Sequence, residues 1–467
     1  MDDFRRVANR VAAQIAAGRL RPGDRLPTQR AFARRHAIAD STASRVYAEL
    51  ARRGLTVGEV GRGTFVRATA PAEGPALAEP SPARVDLELN YPVVEGQSAL
   101  LGAGLARLSR PDVLAAALRP AGATGTAAAR EAAAALLTRP GWAPDPATVL
   151  FAGNGRQAIA AALSALVPTG GRLGVEEFTY PVVKSLAARL GITLVPLACD
   201  EDGLRPDALL AAHRDGPLGA VYAQPTLHNP LTVTMPDRRR AELAAVLRQI
   251  DTVAVEDAIW SFLAPDAPDA PDAPDAPETP NAPHTPNTPP PLAAYAPERV
   301  ILADSLSKRL APGLTLGFAV TPPALADRLT AALRSGAWTT TGYALEAATG
   351  WLTDGTADTI RAAKRADAAH RVRLAVRALD GFDLRTDPRA YFCWWNLPEP
   401  WRADTFVAAA ARRGIAVTPA ASFAAGPHRA PGAVRLGLAS PPPAVLDRAL
   451  ATLAALARTA PDDVSPD

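Results

Sequence analysis

A chain of 467 residues is too long for one ordinary core and suits a small module plus one large domain, or two to three domains of usual size. Its two cysteines, Cys199 and Cys393, stand far apart in apolar settings, which excludes a disulfide or metal framework and fits a cytoplasmic compartment; no stretch has the ~18 uncharged apolar residues of a membrane span. The net charge is only +3, yet residues 1–67 hold 14 Arg, no Lys and 6 acidic residues, a local +8 that suits a polyanion and leaves the remainder at −5.

Residues 4–17 read as an amphipathic helix, with Phe4, Val7, Val11 and Ile15 at helical spacing, closed by the turn Gly18-Arg-Leu-Arg-Pro-Gly23. Thr28 is placed to cap a second helix through Phe32 and Ala33, and Asp40 or Ser41 a third through Val46, Tyr47 and Leu50. Short β-type runs at 55–60 and 64–66 flank Gly61-Arg-Gly63, so three helices are followed by a β wing and residues 1–68 form one module. Residues 69–84 have a linker composition of Ala, Pro, Glu and Ser.

From 85 to 460 apolar β-like runs alternate with Ala-rich helical stretches. The runs are 148–151, 172–175, 192–197, 219–223, 252–255, 299–303 and 316–320. This is the pattern of an α/β domain with a mainly parallel central sheet, whose ligands gather at the carboxyl ends of the strands. The Pro-rich repeats at 265–291 have no apolar face to bury and read as a disordered insertion.

The segments Gly18-Arg-Leu-Arg-Pro-Gly-Asp-Arg-Leu-Pro-Thr-Gln-Arg-Ala-Phe-Ala33, Ser41-Thr-Ala-Ser-Arg-Val-Tyr-Ala-Glu-Leu50 and Gly61-Arg-Gly-Thr-Phe-Val66 closely resemble the GntR family of winged-helix regulators. The resemblance implies that the third helix enters the major groove of double-stranded DNA, with Ser41, Thr42 and Arg45 at base edges. It places Arg30 on the backbone and Arg62 and Gly63 at the wing tip. Arg45 and hydroxyl residues at the start of a helix are side chains able to reach base acceptors or phosphates.

Lysine is scarce, present only as Lys184, Lys308 and Lys364. Arginine replaces lysine wherever charge alone is wanted but cannot form a Schiff base, so a retained lysine points to its amine. Residues 301–320, Ile-Leu-Ala-Asp-Ser-Leu-Ser-Lys-Arg-Leu-Ala-Pro-Gly-Leu-Thr-Leu-Gly-Phe-Ala-Val, resemble the Schiff-base segment of fold-type I aminotransferases, and most of all that of the MocR branch of GntR regulators. The likeness implies pyridoxal 5'-phosphate on Lys308, with Ser305 and Ser307 turned to its phosphate. Gly153-Asn-Gly-Arg-Gln-Ala-Ile159 follows a strand and opens a helix, so its backbone N–H groups, with Gly155, Arg156 and Gln157, are suited to a dianionic phosphate.

By the same resemblance Tyr180, in Glu176-Glu-Phe-Thr-Tyr-Pro181, stacks on the pyridine ring, and Asn229, in Gln224-Pro-Thr-Leu-His-Asn-Pro230, bonds the phenolic oxygen beside a bystander His228. Asp257, closing a strand, pairs with the ring nitrogen. Arg435, in Val-Arg-Leu-Gly-Leu438, clamps a carboxylate. Lys308, Asp257 and Tyr180 are the candidate catalytic set, and no metal is expected.

Two positions depart from the family pattern. Pro312-Gly-Leu-Thr315 stands where the family has Pro-Gly-Leu-Arg, and Trp260 where it has Tyr. The first removes a phosphate cation, for which Arg156 or Arg309 is a substitute; the second removes a hydroxyl. These departures imply weaker cofactor binding or an altered pKa of the internal aldimine, and hence poorer transamination than in a dedicated enzyme. The residues leave open a homodimeric regulator that senses pyridoxal phosphate, an amino acid or an amine by aldimine formation at Lys308, an active aminotransferase carrying a winged helix, and a regulator that has lost its cofactor.

Overall fold

The computed structural model describes residues 3–16, 19–20, 24–52, 55–59, 63–66, 83–264, 288–426 and 430–461. Arg62, nearly all of the 69–84 linker and the 265–287 part of the insertion lie outside the described residues.

Helix α1 (Asp3–Ala16), strand β1 (Arg25–Leu26), α2 (Gln29–His36), α3 (Asp40–Arg52), β2 (Thr56–Glu59) and β3 (Gly63–Val66) make the first module. Its core is the apolar stripe expected from the spacing: Val7, Val11, Ile15, Phe32, Val46, Tyr47, Leu50 and Val66 are all buried. Each such burial contributes about 1.5–3 kcal/mol. Thr28 Oγ1 accepts the Ala31 N–H at 3.3 Å and caps α2, and Tyr47 Oη donates to Pro27 O at 2.5 Å, tying α3 to the turn before α2. The wing is a three-stranded antiparallel sheet, β1-β3-β2, with a strand at Arg25–Leu26 that the sequence reading did not include.

The large sheet comprises β4 (Val149–Ala152), β5 (Arg172–Glu176), β6 (Thr193–Leu197), β7 (Ala220–Ala223), β8 (Ala254–Asp257), β9 (Val300–Ser305) and β10 (Gly317–Val320). Its order is β4-β10-β9-β8-β7-β5-β6; β10 runs antiparallel to both neighbours and every other pairing is parallel. Alternate residues feed two cores on opposite faces. Val221, Ala254, Val300 and Leu302 join one, while Ala220, Tyr222, Val255 and Ile301 join the other. Burial on both faces is why these strands are continuous apolar runs rather than alternating ones.

A second, four-stranded antiparallel sheet lies in the C-terminal part, formed by β11 (Asp383–Arg385), β12 (Phe392–Asn396), β13 (Thr418–Pro419) and β14 (Ala433–Gly437) in the order β11-β12-β14-β13. The last residues of the expected disordered insertion depart from that expectation. Pro289 and Pro291 are buried, and Pro290 O accepts from Arg240 Nη1 at 3.2 Å, so residues 288–291 are packed. Rigid proline rings fill apolar space there while their carbonyls still accept hydrogen bonds. Among the described residues no helix is long and apolar enough to cross a membrane.

Candidate functional site

Strands β5, β7, β8 and β9 end side by side, and the loops beyond their carboxyl ends carry Tyr180, Asn229, Trp260 and Lys308. The site therefore follows from topology: parallel pairing aligns four chain segments that are scattered over more than a hundred residues.

Helix α4 (Gly155–Leu166) springs from β4 with Asn154 as its cap, whose Oδ1 accepts the Gln157 N–H at 2.9 Å. That leaves the first-turn N–H groups of Gly155 and Arg156, which a helix cannot satisfy itself, at the positive end of its dipole. Ser305 faces them. A Cβ on Gly155 would stand 3.0 Å from Ser305 Oγ, so only glycine leaves that gap clear. Gly317 allows the loop to come close, since a Cβ there would collide with Asn154 O at 2.2 Å.

Lys308 belongs to the single-turn helix α6 (Leu306–Arg309). Its Nζ donates to Asn90 O and lies 4.8 Å from the Tyr91 ring centre and 5.6 Å from that of Trp260. Burial lowers its pKa to about 7, aided by the positive charges of Arg156, Arg435 and Lys364. A fraction of the amine is thus unprotonated, and nucleophilic, near neutrality.

Asp257 is fully buried at the end of β8. Oδ2 accepts from Tyr222 Oη at 2.6 Å and Gln224 Nε2 at 2.9 Å, and Oδ1 from the Ile259 N–H at 3.1 Å. Burial outweighs these donors and raises its pKa to about 6. Gln224 Oε1 also accepts the Asn229 N–H at 3.2 Å, which sets the loop carrying Asn229; the buried Asn229 Oδ1 has no hydrogen-bond partner among the described residues. His228 Nε2 lies 3.2 Å from Glu176 Oε2, in line with a supporting place beside that loop.

Tyr180 precedes helix α5 (Pro181–Leu190), and its hydroxyl accepts from Arg156 Nε at 3.4 Å. Burial raises its pKa, with Arg156 opposing and Asp257 adding to the rise. Arg435, on β14, donates through Nη2 to Glu88 O at 2.8 Å, while its buried Nε and Nη1 have no hydrogen-bond partner among the described residues. Its burial lowers the pKa to about 10. Buried guanidinium N–H groups without an acceptor are donors able to meet an anion.

The two departures from the family pattern take definite forms. Thr315 Oγ1 shares a hydrogen bond with Ser307 Oγ, so that serine's hydroxyl is engaged. Trp260 packs among Phe262, Tyr391 and Phe392 with its indole near the Lys308 amine. Arg309 donates to Asp304 Oδ2 at 3.0 and 2.6 Å, a buried ion pair that commits it away from a phosphate. Of the two substitutes for the missing arginine, Arg156 alone is left at the helix start. Asn90 and Tyr91 were missed by sequence reasoning, because nothing in their local pattern shows that a segment next to the linker returns to a lysine more than two hundred residues away.

On the first module, α3 turns Ala43, Val46, Tyr47 and Leu50 inward and leaves Ser41, Ser44 and Arg45 exposed, with Thr42 half-buried. Arg45 lies over the Phe4 ring at 4.0 Å. Arg30 is exposed in the first turn of α2, and Gly63 opens β3 opposite Glu59.

Residues 120–453 match the family aminotransferase class I and II, and residues 4–66 match the bacterial regulatory proteins of the gntR family. The chain is 27% identical over 439 residues to the uncharacterized HTH-type transcriptional regulator YdeF of Bacillus subtilis (strain 168), covering 94% of this chain and 90% of that one. It is 27% identical over 354 residues to the HTH-type transcriptional regulator TauR of Rhodobacter capsulatus, covering 68% and 67%. In fold it is similar to an archaeal alanine:glyoxylate aminotransferase, with a TM-score of 0.69 and 20% identity over 80% of this chain and 90% of that one.

Proposed function

Since the chain belongs to the aminotransferase class I and II family and carries a gntR-type DNA-binding domain ahead of it, we propose that it is a MocR-type transcription regulator whose large domain holds pyridoxal 5'-phosphate and senses an amino acid or amine at Lys308. The observation that carries this reading is the Lys308 amine, half-buried at the carboxyl edge of the sheet, with a pKa near 7 and within electrostatic reach of Arg156 and Arg435.

Pyridoxal phosphate is the cofactor of the family, and the residues present suit it. The open helix start at Gly155 faces a buried serine, and among the described residues Asn229 Oδ1 lacks a partner and the buried Asp257 carboxylate has no cation bonded to it. When bound, it supplies an aldehyde that condenses with primary amines and a ring that withdraws electrons from them. Gly155, Arg156, Gln157, Ser305 and Ser307 would hold its phosphate, and Tyr180 would cover the ring. Asn229 would bond the ring's phenolic oxygen and Asp257 its nitrogen. Arg435 would take the effector's carboxylate.

Ser41, Thr42 and Arg45 would read bases from the exposed face of α3, with Arg30, Arg62 and Gly63 on phosphates. A homodimer in the cytoplasm, reading paired half-sites, completes the proposal. An effector alters DNA binding only by contacting two states of the protein differently, and a change at Lys308 and Tyr180 supplies such a difference.

Regulation is favoured over turnover by the Thr315–Ser307 hydrogen bond, where the family has a phosphate-binding arginine, and by Trp260 in place of a tyrosine. The test uses duplex DNA selected by the protein from a random pool and a panel of amino acids and amines. At least one compound is expected to change DNA affinity by about 5–150-fold, the usual range of coupling between sites. Rapid conversion of the cofactor to its pyridoxamine form at about 1–1,000 per second, with DNA affinity unchanged by every compound, would overturn the regulator in favour of an aminotransferase.

A further inference from the structure

Lys364 is fully buried on α7 (Thr356–Ala378), a helix to which no functional role has so far been attached. Its Nζ donates to Lys308 O at 2.8 Å and to Leu310 O at 2.5 Å. Gln97 Nε2, also buried, reaches the same Leu310 O at 3.1 Å. These carbonyls close α6, a helix of one turn whose last C=O groups have no further turn to bond. A cation there is favoured by the helix dipole as well as by its hydrogen bonds.

No acid is bonded to the Lys364 amine among the described residues, and burial lowers its pKa to about 7, with Asp367 opposing. Asp367, one turn along α7, is occupied by Arg371 at 2.7 Å and by Tyr391 Oη at 2.9 Å. The Nζ is therefore held by two backbone carbonyls, both at the end of the turn that presents Lys308. In a chain that otherwise prefers arginine, this slot suits a compact amine, because a guanidinium has five donors and would leave several of them buried without acceptors.

We propose that Lys364 is a positioning residue for Lys308: by tying down the carbonyls at positions 308 and 310 from behind, it fixes the direction in which the Lys308 amine leaves its turn. The Lys308 side chain points the other way, to Asn90 O and the rings of Tyr91 and Trp260, so Lys364 acts through the backbone and not by touching a bound molecule. The inference rests on Lys308 being the cofactor lysine.

The experiment compares the full chain with K364M, which keeps length and loses the donor, and K364Q, which keeps a neutral donor. Each is freed of cofactor and mixed with pyridoxal phosphate. Three quantities are read: the rate of covalent capture at Lys308 by borohydride quenching and mass spectrometry, the ellipticity of the cofactor band per unit absorbance, and thermal unfolding. Loss of these hydrogen bonds should slow capture in K364M about tenfold and reduce the ellipticity, with K364Q in between. Folded variants that melt earlier but capture at the native rate with native ellipticity would reduce Lys364 to a structural part and overturn the proposal. Should K364M not fold, K364Q decides by the same two readouts. If the unmodified chain captures nothing at Lys308, the cofactor reading itself fails, an outcome distinct from variants that equal a working parent.

Discussion

Asp257 is expected to weaken the cofactor-free protein as the pH rises. Its enclosed carboxyl has a pKa of about 6 instead of 3.8, because burial outweighs the donors Tyr222, Ile259 N–H and Gln224. A carboxyl with a higher pKa in the fold binds its proton more tightly there than in the unfolded chain. The folded state is therefore favoured most below pH 4 and loses about 1.4 kcal/mol per pH unit as the pH climbs towards 6, levelling off above it. The full loss is about 3 kcal/mol. Asp257→Asn abolishes the titration but turns an amide N–H towards a neighbouring donor, a pH-independent loss of about 1–3 kcal/mol.

The stability difference between the two proteins should therefore move by about 2–2.5 kcal/mol in favour of the variant between pH 4 and 7, whatever its starting value. All seven tryptophans lie at or beyond Trp142, so urea unfolding followed by their fluorescence reports the large domain alone. Pyridoxal phosphate should flatten the native curve, because a cationic ring nitrogen against Asp257 lowers its pKa. Parallel native and variant curves, or a native protein that gains on the variant as pH rises, would refute the reasoning.

Arg435→Lys keeps a cation but removes the planar guanidinium and most of its N–H donors, so affinity for amino acids should fall by about 10–100-fold while amines without a carboxylate bind as before; calorimetry with matched pairs checks this. Arg45→Ala should lose about 1–3 kcal/mol at one base position, measured by fluorescence anisotropy on point-substituted duplexes. Binding of the unmodified protein should also weaken steeply with added salt, as a basic module on phosphates requires.

The chain-order reading of the large sheet agrees with the structure because its strands are buried on both faces and so appear as unbroken apolar runs; residues 299–303, for example, overlap Val300–Ser305 with an offset of one to two residues at the ends. The C-terminal antiparallel sheet was not identified. Its clearest strand, Phe392–Asn396, is an apolar aromatic run, while Asp383–Arg385 and Thr418–Pro419 are too short to carry a period. Two of the candidate positions lie at element boundaries that the sequence marks, Asp257 at the end of a strand and Gly155 at the start of a helix. What holds the site residues was not legible, since the contacts of Asp257 with Tyr222 and of Lys308 with Asn90 join segments far apart in sequence. Arg309 shows the converse error: adjacency to Lys308 made it a phosphate candidate, yet its charge is taken by Asp304.

The account stands most directly on the amine at position 308. The purified chain should be mixed with pyridoxal phosphate, its spectrum recorded, and the complex reduced with borohydride, digested and mapped. A new visible absorbance band and a phosphopyridoxyl mass on the peptide holding Lys308, absent from those of Lys184 and Lys364, is the predicted result. No band, or a label on either of the other two lysines in place of Lys308, would contradict it.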